Sequence, residues 1–205
     1  AWELARKGQY DAAIAEWRKA LEINPEDAKA HNNLGRALAE KGEFDEAITH
    51  WQKALEVNPK YAEAHNNLGV ALVRRGQFDE AVTHFQKALE ANPEYGEVYN
   101  NLGRALAEKG KFGEAIRHWQ KAIELNPKYA EAHNNLGTGL IRTGRLDEAI
   151  THWEKAIAVY PGFAQAHYNL GRALAQKGRL DGAVTHWQKA VEIDPEFAQA
   201  HYDLG

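Results

Sequence analysis

The sequence lacks cysteine and methionine altogether, and neither charge sign is in large excess among its 205 residues. The absence of cysteine excludes disulfides, thiol catalysis and thiolate metal sites. The 25 basic and 29 acidic residues give a net charge of −4, which is unlike the basic surface of a nucleic-acid-binding protein. No apolar run approaches the roughly 20 residues that a membrane-spanning helix needs. These absences leave a protein or peptide as the expected kind of partner.

Proline is also scarce, and all six prolines stand 34 positions apart: Pro25, Pro59, Pro93, Pro127, Pro161 and Pro195. The same step relates near-identical stretches that begin at His31, His65 and His133. A fixed period of this length is typical of a repeat protein, whose copies must stack to bury their apolar faces. We therefore expect a single array over residues 1–205. Its expected divisions are a partial copy at 1–27, full copies at 28–61, 62–95, 96–129, 130–163 and 164–197, and the start of a further copy at 198–205.

Each copy is predicted to form two α-helices. In the copy at residues 28–61, Leu34 and Leu38 belong to an apolar stripe with helical spacing. Gly42 stands where a residue with left-handed backbone conformation would end this first helix. The second helix is predicted to end just before Pro59, because the residue that precedes proline is pushed out of the α region.

A glycine recurs in the middle of every first helix, at Gly35, Gly69, Gly103, Gly137 and Gly171. Glycine at such a position costs about 1 kcal/mol relative to alanine. Its recurrence predicts that the backbones of the two helices in a hairpin lie against each other there.

These residues resemble the tetratricopeptide repeat (TPR) family over the whole chain. The 34-residue period, the Leu34-Gly35 pair, the alanine four residues before an aromatic residue (Ala47 and Trp51) and Pro59 match the family pattern. The resemblance implies an all-α, right-handed superhelical solenoid of helix-turn-helix repeats. It also implies a concave groove, lined by the first helices, that binds peptides or partner proteins.

The chain departs from the family pattern at two positions. His31 occupies the position where the family commonly has tryptophan, and Leu38 the position where it commonly has tyrosine. The large aromatic residue lies instead on the second helix, at Trp51 and its equivalents. We interpret this as a volume-conserving exchange across the hairpin, which protein cores tolerate.

Asparagines form two adjacent columns on the first helices: Asn33, Asn67, Asn101, Asn135 and Asn169, closed by Asp203, beside Asn32, Asn66, Asn100 and Asn134. The first column is similar to the ladder inside the TPR superhelix of O-linked N-acetylglucosamine transferase, whose amides hold an extended peptide backbone. An amide carries a donor and an acceptor together, which suits a peptide group. The competing explanation is that the amides brace neighbouring helices, and the sequence leaves both open.

Arginines follow a period of two copies. Arg36, Arg104 and Arg172 occupy one column, and Arg74 and Arg142 stand one helical turn later in the intervening copies. Residues four apart share a helix face, so a groove on this face would present guanidiniums suited to carboxylates. The alternative is that Arg36 and Arg104 form ion pairs with the glutamates four residues later, and the sequence favours this alternative.

Ten histidines occupy repeated positions, chiefly the columns of His31 and His50. The spacing between these columns matches no known zinc motif, so we expect packing positions and no metal or cofactor. No nucleophile, base and orienting residue recur together, so no catalytic residues are predicted. The interpretation is a non-enzymatic scaffold. The alternatives are the substrate-presenting TPR region of a larger enzyme such as a glycosyltransferase, and a receptor for acidic chaperone tails, which the lack of lysine in the asparagine columns disfavours.

Neither end of the sequence carries a polar capping helix of the kind that usually closes a solenoid. Trp17 is expected to be partly bare, and Ala200 and Leu204 are expected to lie on an uncovered apolar face. Either the chain is a fragment of a longer array, or copies associate head to tail into an open filament. The residues predicted to take part are Trp2, Leu4, Trp17, Ala200, His201 and Leu204.

Overall fold

The computed structural model describes residues 1–205, and all of its regular elements are α-helices. The helices are α1 Trp2–Arg6, α2 Tyr10–Ile23, α3 Ala28–Glu40, α4 Phe44–Val57, α5 Ala62–Arg74, α6 Phe78–Ala91, α7 Gly96–Glu108, α8 Phe112–Leu125, α9 Ala130–Arg142, α10 Leu146–Val159, α11 Ala164–Gln176, α12 Leu180–Ile193 and α13 Ala198–Leu204. This confirms the predicted all-α class of helical hairpins. None of the helices has the length and apolar composition required to span a membrane.

Local chemistry sets the ends of the helices. At the start of α3, the Asp27 carboxylate accepts a hydrogen bond from the Ala30 backbone N–H at 2.9 Å, which satisfies one of the unpaired donors at a helix start. Beyond its last residue, Gly42 adopts φ of +85°, a conformation that favours glycine, as predicted. The second helix α4 ends at Val57, before the Asn58-Pro59 pair, because Asn58 is extended.

The chain divides into two compact units, Ala1–Asn101 and Leu102–Gly205. In the first unit, α3 packs against α4 and α5 against α6, while α2 contacts α3 and α4 contacts α5. In the second unit, α9 packs against α10 and α11 against α12, while α8 contacts α9 and α10 contacts α11. Within each unit, therefore, hairpins of consecutive helices stack on their neighbours along the chain.

The mid-helix glycines receive aromatic rings from the second helices. A Cβ atom added at Gly35 would lie 2.7 Å from Nε1 of Trp51, which leaves no room for any other residue type. Trp51 is 4% exposed, and its indole N–H donates to the Asn32 carbonyl oxygen at 3.2 Å. The sequence predicted backbone against backbone, and the structure corrects this to backbone against ring. At Gly171 the Ala183 carbonyl oxygen would also lie 3.0 Å from an added Cβ.

The terminal hairpins are better covered than the sequence predicted. Trp17 is only 7% exposed, because the ring of Trp2 packs edge-on against it at 6.4 Å between centroids. Ala200 is fully buried, since α13 packs against α12. The expectation of a bare Trp17 and an uncovered Ala200 was therefore wrong. Trp2 itself is 53% exposed and Tyr202 86% exposed.

Candidate peptide-binding clefts

Three clefts lie between consecutive first helices and are lined by equivalent positions of the repeat. The Arg36–Arg74 cleft, between α3 and α5, has a volume of about 540 Å³. The Arg142–Arg172 cleft, between α9 and α11, has a volume of about 500 Å³. A smaller cleft of about 220 Å³ lies between α1 and α3, where Trp2 and Arg6 face residues of α3. Each cleft thus carries two arginines, supplied by two different helices.

In the Arg36–Arg74 cleft, aromatic rings of α4 form part of the lining. Trp51 and Phe44 both line it, and the Arg74 guanidinium lies 5.0 Å above the centre of the Phe44 ring. Asn67 lines the same cleft from α5. A guanidinium held over an aromatic face is attracted by the ring and is restricted in its conformations.

The Arg142–Arg172 cleft has the same plan in the second unit. Trp153 and Asn169 line it, and the Arg142 guanidinium lies 5.8 Å from the centre of the Phe112 ring. The Arg172 guanidinium lies 5.8 Å from the centre of the Tyr168 ring. The two clefts differ in charge. No carboxylate lines the Arg142–Arg172 cleft, whereas Glu40 and Glu97 line the Arg36–Arg74 cleft.

The ion pairs that the sequence favoured for these arginines are absent. The five arginines of the two columns, Arg36, Arg74, Arg104, Arg142 and Arg172, are all exposed. None of them forms an ion pair; the arginines that do are Arg18, Arg75 and Arg145. The expected pairing of Arg36 and Arg104 with the glutamates four residues later was wrong. Arg36 instead lies 5.4 Å from the centre of the Trp2 ring, since a weakly hydrated guanidinium stacks readily on an aromatic face.

The two asparagine columns are hydrogen-bonded to each other between copies. The Asn67 amide N–H donates to the Asn32 amide oxygen at 2.9 Å. The same bond joins Asn101 to Asn66 and Asn169 to Asn134, each at 3.0 Å. We call this set of bonds the amide ladder. Bracing between neighbouring first helices, one of the two explanations left open by the sequence, is therefore part of the fold.

The last step of the amide ladder has different residues. Tyr168 occupies the position equivalent to Asn134, and Asp203 the position equivalent to Asn169. Burial raises the pKa of the Tyr168 hydroxyl, and the nearby charge of Asp203 is a further cause. The bond between two amides that joins the earlier copies is therefore not repeated here.

The remaining predicted residues are distributed between ladder and surface. Asn33 lines the cleft between α1 and α3, Asn135 is half-buried on α9, and Arg104 is exposed on α7. The Asn67 amide oxygen accepts no hydrogen bond, whereas the Asn169 amide oxygen accepts one from Gln165 at 3.0 Å. The Asn67 amide therefore keeps an acceptor for a ligand inside its cleft.

The two histidine columns meet as imidazole pairs, a contact that the sequence analysis missed. Nδ1 of His31 lies 2.9 Å from Nδ1 of His50, and Nε2 of His31 lies 3.0 Å from the Pro25 carbonyl oxygen. Equivalent pairs are His65–His84, His133–His152 and His167–His186. The constant spacing of 19 residues in four copies was the available signal. No group of three or more histidine, aspartate or glutamate side chains is arranged to hold a metal ion.

Stacked helical hairpins with ligand-sized clefts between their first helices define the chain as a helical-repeat scaffold. Sequence profiles of two descriptions match it: "TPR repeat" at residues 3–42, 35–76 and 103–138, and "tetratricopeptide repeat" at residues 62–95, 84–117 and 135–198. The matches together cover more than half of the sequence. The chain belongs to the tetratricopeptide repeat family.

Solved structures of other TPR proteins are similar to the chain. YrrB, described as a TPR protein with an unusual peptide-binding site, is 33% identical with a TM-score of 0.72, and the match covers 91% of this chain and 96% of YrrB. MamA is 33% identical with a TM-score of 0.70, and the match covers 81% of this chain and 97% of MamA. PilF of Pseudomonas aeruginosa has a TM-score of 0.88 over 98% of this chain and 92% of PilF, but at 22% identity it shows the fold alone. No curated protein sequence matches the chain.

Proposed function

We propose that the chain is a non-enzymatic scaffold that binds peptide segments bearing carboxylates in the clefts between its first helices. The observation that carries the proposal is the pair of exposed guanidiniums in the Arg142–Arg172 cleft, neither of which has a carboxylate partner. The likeness to YrrB, described as having a peptide-binding site, supports a peptide as the class of ligand.

Guanidiniums suit this role because each presents a planar set of N–H donors that can bind a carboxylate through two hydrogen bonds. Stacking on Phe112 and Tyr168 already restricts Arg142 and Arg172, which lowers the entropy lost on binding. The absence of acidic residues from this cleft makes it the stronger of the two larger anion sites. In the Arg36–Arg74 cleft, Glu40 and Glu97 oppose an anionic ligand and favour a segment of mixed charge.

The asparagines add a means of holding the peptide backbone. Asn67 and Asn169 line the two larger clefts, and each uses one N–H for the amide ladder. The remaining amide donors can bind peptide carbonyl groups, and the Asn67 oxygen can accept from a peptide N–H. Contacts of this kind would hold an extended segment without selecting its side chains, and the arginines would supply the preference for acidic residues.

The proposal is tested with a labelled hexaglutamate peptide and the double variant Arg142→Ala/Arg172→Ala. A hydrogen bond to a charged group contributes about 1.5–3 kcal/mol, so the double variant is expected to raise the Kd at least tenfold. Fluorescence anisotropy at low salt measures the Kd, and a hexaglutamine peptide of equal length should bind more weakly. Arg145→Ala is the matched control, because Arg145 is an exposed arginine whose guanidinium is paired with Glu148. Equal affinity of the wild type and the double variant for hexaglutamate would contradict the proposal.

Self-association head to tail into a filament is a second candidate, favoured by exposed apolar residues on the terminal helices. Trp2 is 53% exposed and Tyr202 86% exposed, and Leu180 on the neighbouring α12 is 62% exposed. Leu4 and Leu204 are half-buried and His201 is exposed. Light scattering over a dilution series is expected to show mass that rises with concentration and falls in a Tyr202→Ser variant. A constant mass of 23.0 kDa at all concentrations would remove this candidate.

A further inference from the structure

We infer that the four imidazole pairs make the hairpins sensitive to acid: each pair accepts one proton without losing its hydrogen bonds, and a second proton breaks the link between its two helices. The inference concerns the hairpins themselves and does not depend on the proposed peptide ligand. Its basis is the hydrogen-bond chain that runs through each pair.

The chain of hydrogen bonds fixes the tautomer of both rings. A carbonyl oxygen can only accept, so Nε2 of His31 must carry the proton that it donates to Pro25 at 3.0 Å. In the neutral ring, Nδ1 of His31 then has only a lone pair. The 2.9 Å contact between the two Nδ1 atoms therefore requires His50 to donate from its Nδ1. This leaves the lone pair on Nε2 of His50 as the one free basic site of the pair.

The first added proton has a place to go. In the pair His31–His50, Nε2 of His50 lies 3.7 Å from the Glu46 carboxylate, so a proton there is favoured by the opposite charge. Gly182 stands at the equivalent position before His186, so the free site of that pair has no such carboxylate. Nδ1 of His50 continues to donate to His31, now from a charged ring, and such hydrogen bonds are stronger than neutral ones. A singly protonated pair thus keeps every bond that joins α3 to α4.

The second proton has no such place. Its only remaining site is Nδ1 of His31, where the new N–H would point at the N–H of His50 across 2.9 Å. Two positive rings at this distance also repel each other. Taking up the second proton therefore requires the rings to separate, and the contact between α3 and α4 is lost there.

None of the charged groups near the pairs bonds the first-helix Nδ1 atom that would take the second proton. Glu46, itself bound to Arg18, and Lys53 lie beside His31–His50, and Glu22, Glu26 and Glu56 line the same cavity. The groups beside the other pairs are Lys87 and Glu90 for His65–His84; Glu148, Arg145 and Lys155 for His133–His152; and Lys189 for His167–His186. Each pair has at least one neighbouring cation, which opposes a further positive charge.

The direction of the pH effect follows from burial. Burial of the rings lowers the pKa of His84 and of His152 to about 4, and it lowers the pKa of His50 and His186 as well. An unfolded chain binds these protons at the ordinary histidine pKa of about 6.5. The stability that the pairs provide is therefore complete above about pH 6.5 and is lost as the pH falls towards 4. Acid thus lowers the stability of the four paired hairpins relative to the unfolded chain over the same pH range.

The test replaces the second-helix rings with a donor that cannot be protonated, in the variant His50→Asn/His84→Asn/His152→Asn/His186→Asn. An asparagine amide N–H takes the place of the Nδ1 donor, so the fold at pH 7.5 is retained. Urea unfolding at a series of pH values gives the number of protons taken up on unfolding. Between pH 6.5 and 4 the variant should take up about four fewer protons than the wild type, one for each pair. Below pH 4 the two stability curves should run parallel.

Two further variants keep the test decisive. The single variant His152→Asn should reduce the proton uptake on unfolding by about one. It provides the measurement if the fourfold variant misfolds. His201→Asn is the matched control, because His201 bonds the Pro195 carbonyl at 2.8 Å as His31 bonds Pro25 but contacts no second imidazole. Its slope gives the change that follows from losing a histidine without an imidazole partner. Equal slopes for the wild type and the fourfold variant would overturn the inference.

Nitrogen-15 NMR of the imidazole rings gives a direct check at pH 7.5. First-helix histidines such as His31 should be Nε2–H tautomers, and second-helix histidines such as His50 should be Nδ1–H tautomers. Finding the Nε2–H tautomer in the second-helix rings would also overturn the inference, since no donor would then reach His31.

Discussion

The hairpins α9–α10 and α11–α12 share one plan and differ at a single position of the amide ladder. In the first, the Trp153 ring lies over Gly137 and its N–H donates to the Asn134 carbonyl oxygen at 3.2 Å. In the second, the Trp187 ring lies over Gly171, but its buried N–H has no partner. At equivalent positions, therefore, the tryptophan N–H has a hydrogen-bond partner in one hairpin and none in the other.

The change coincides with the replacement of the ladder amide by Tyr168. This ring packs against Phe197 at 5.0 Å between centroids and lies beneath the Arg172 guanidinium. The last hairpin thus gains an aromatic contact with Phe197 and a ring beneath Arg172, and it carries an unsatisfied indole donor. A buried donor without a partner costs about 1–3 kcal/mol.

The largest effect is expected from adding a side chain at the mid-helix glycine that a tryptophan ring covers in both hairpins. A Cβ alone would approach the facing ring to 2.7 Å at Gly137 and 2.6 Å at Gly171, so leucine at either position should destabilise the chain by about 3 kcal/mol. Thermal unfolding measures the loss, which should be similar for the two variants. Gly113→Ala in α8 is the control, because nothing lies within 4 Å of its added Cβ, and it should be neutral or stabilising. An unchanged Tm in Gly137→Leu would contradict the ring-on-glycine contact.

A smaller effect separates the two tryptophans. Trp153→Phe removes a donor that is bonded, whereas Trp187→Phe removes one that is not. Both variants lose the same ring volume, and Phe85 shows that phenylalanine is fully buried at the equivalent position. We expect Trp153→Phe to cost about 2 kcal/mol more than Trp187→Phe in urea unfolding. Equal losses would mean that the indole N–H contributes nothing in either hairpin.

The smallest effect concerns the last two steps of the ladder. Asn169→Asp replaces the donor to Asn134 with a second acceptor, so it should cost about 1 kcal/mol at pH 7. Asp203→Asn changes a carboxylate that forms no hydrogen bond or ion pair, so its cost should stay below about 0.5 kcal/mol. Chemical denaturation of the two single variants gives both values. The reverse order of losses would show that the bond from Asn169 to Asn134 contributes less than the charge of Asp203 does.

Much of the fold could be predicted from the sequence, because it depends on local rules. Gly42 and Pro59 mark the ends of α3 and α4, and the structure confirms both. The 34-residue period made the hairpins and the family recognisable. The position of Trp51 over Gly35 could not be predicted in detail, since neither residue indicates on its own which part of the facing helix it will meet.

The site was less predictable, because its contacts join residues far apart in the sequence. A rule for residues four apart on one helix paired Arg36 with a glutamate, but Arg36 stacks on the ring of Trp2, which another helix supplies. The meeting of His31 with His50 depends on how the turn at Gly42 aligns two helices. Helical periodicity describes each helix separately and carries no information on this alignment.

The amide ladder also bears on how such a chain can change in length. Wherever the earlier copy offers an asparagine oxygen and the later copy an asparagine N–H, as at Asn32, Asn66 and Asn101, one acceptor can replace another. Loss or duplication of one copy by recombination would leave each of these bonds with an equivalent partner. Tyr168 and Asp203 are different, because no amide of either column stands at this step. The asparagine steps are therefore interchangeable, whereas an asparagine copy placed beside the last step would lose its amide partner.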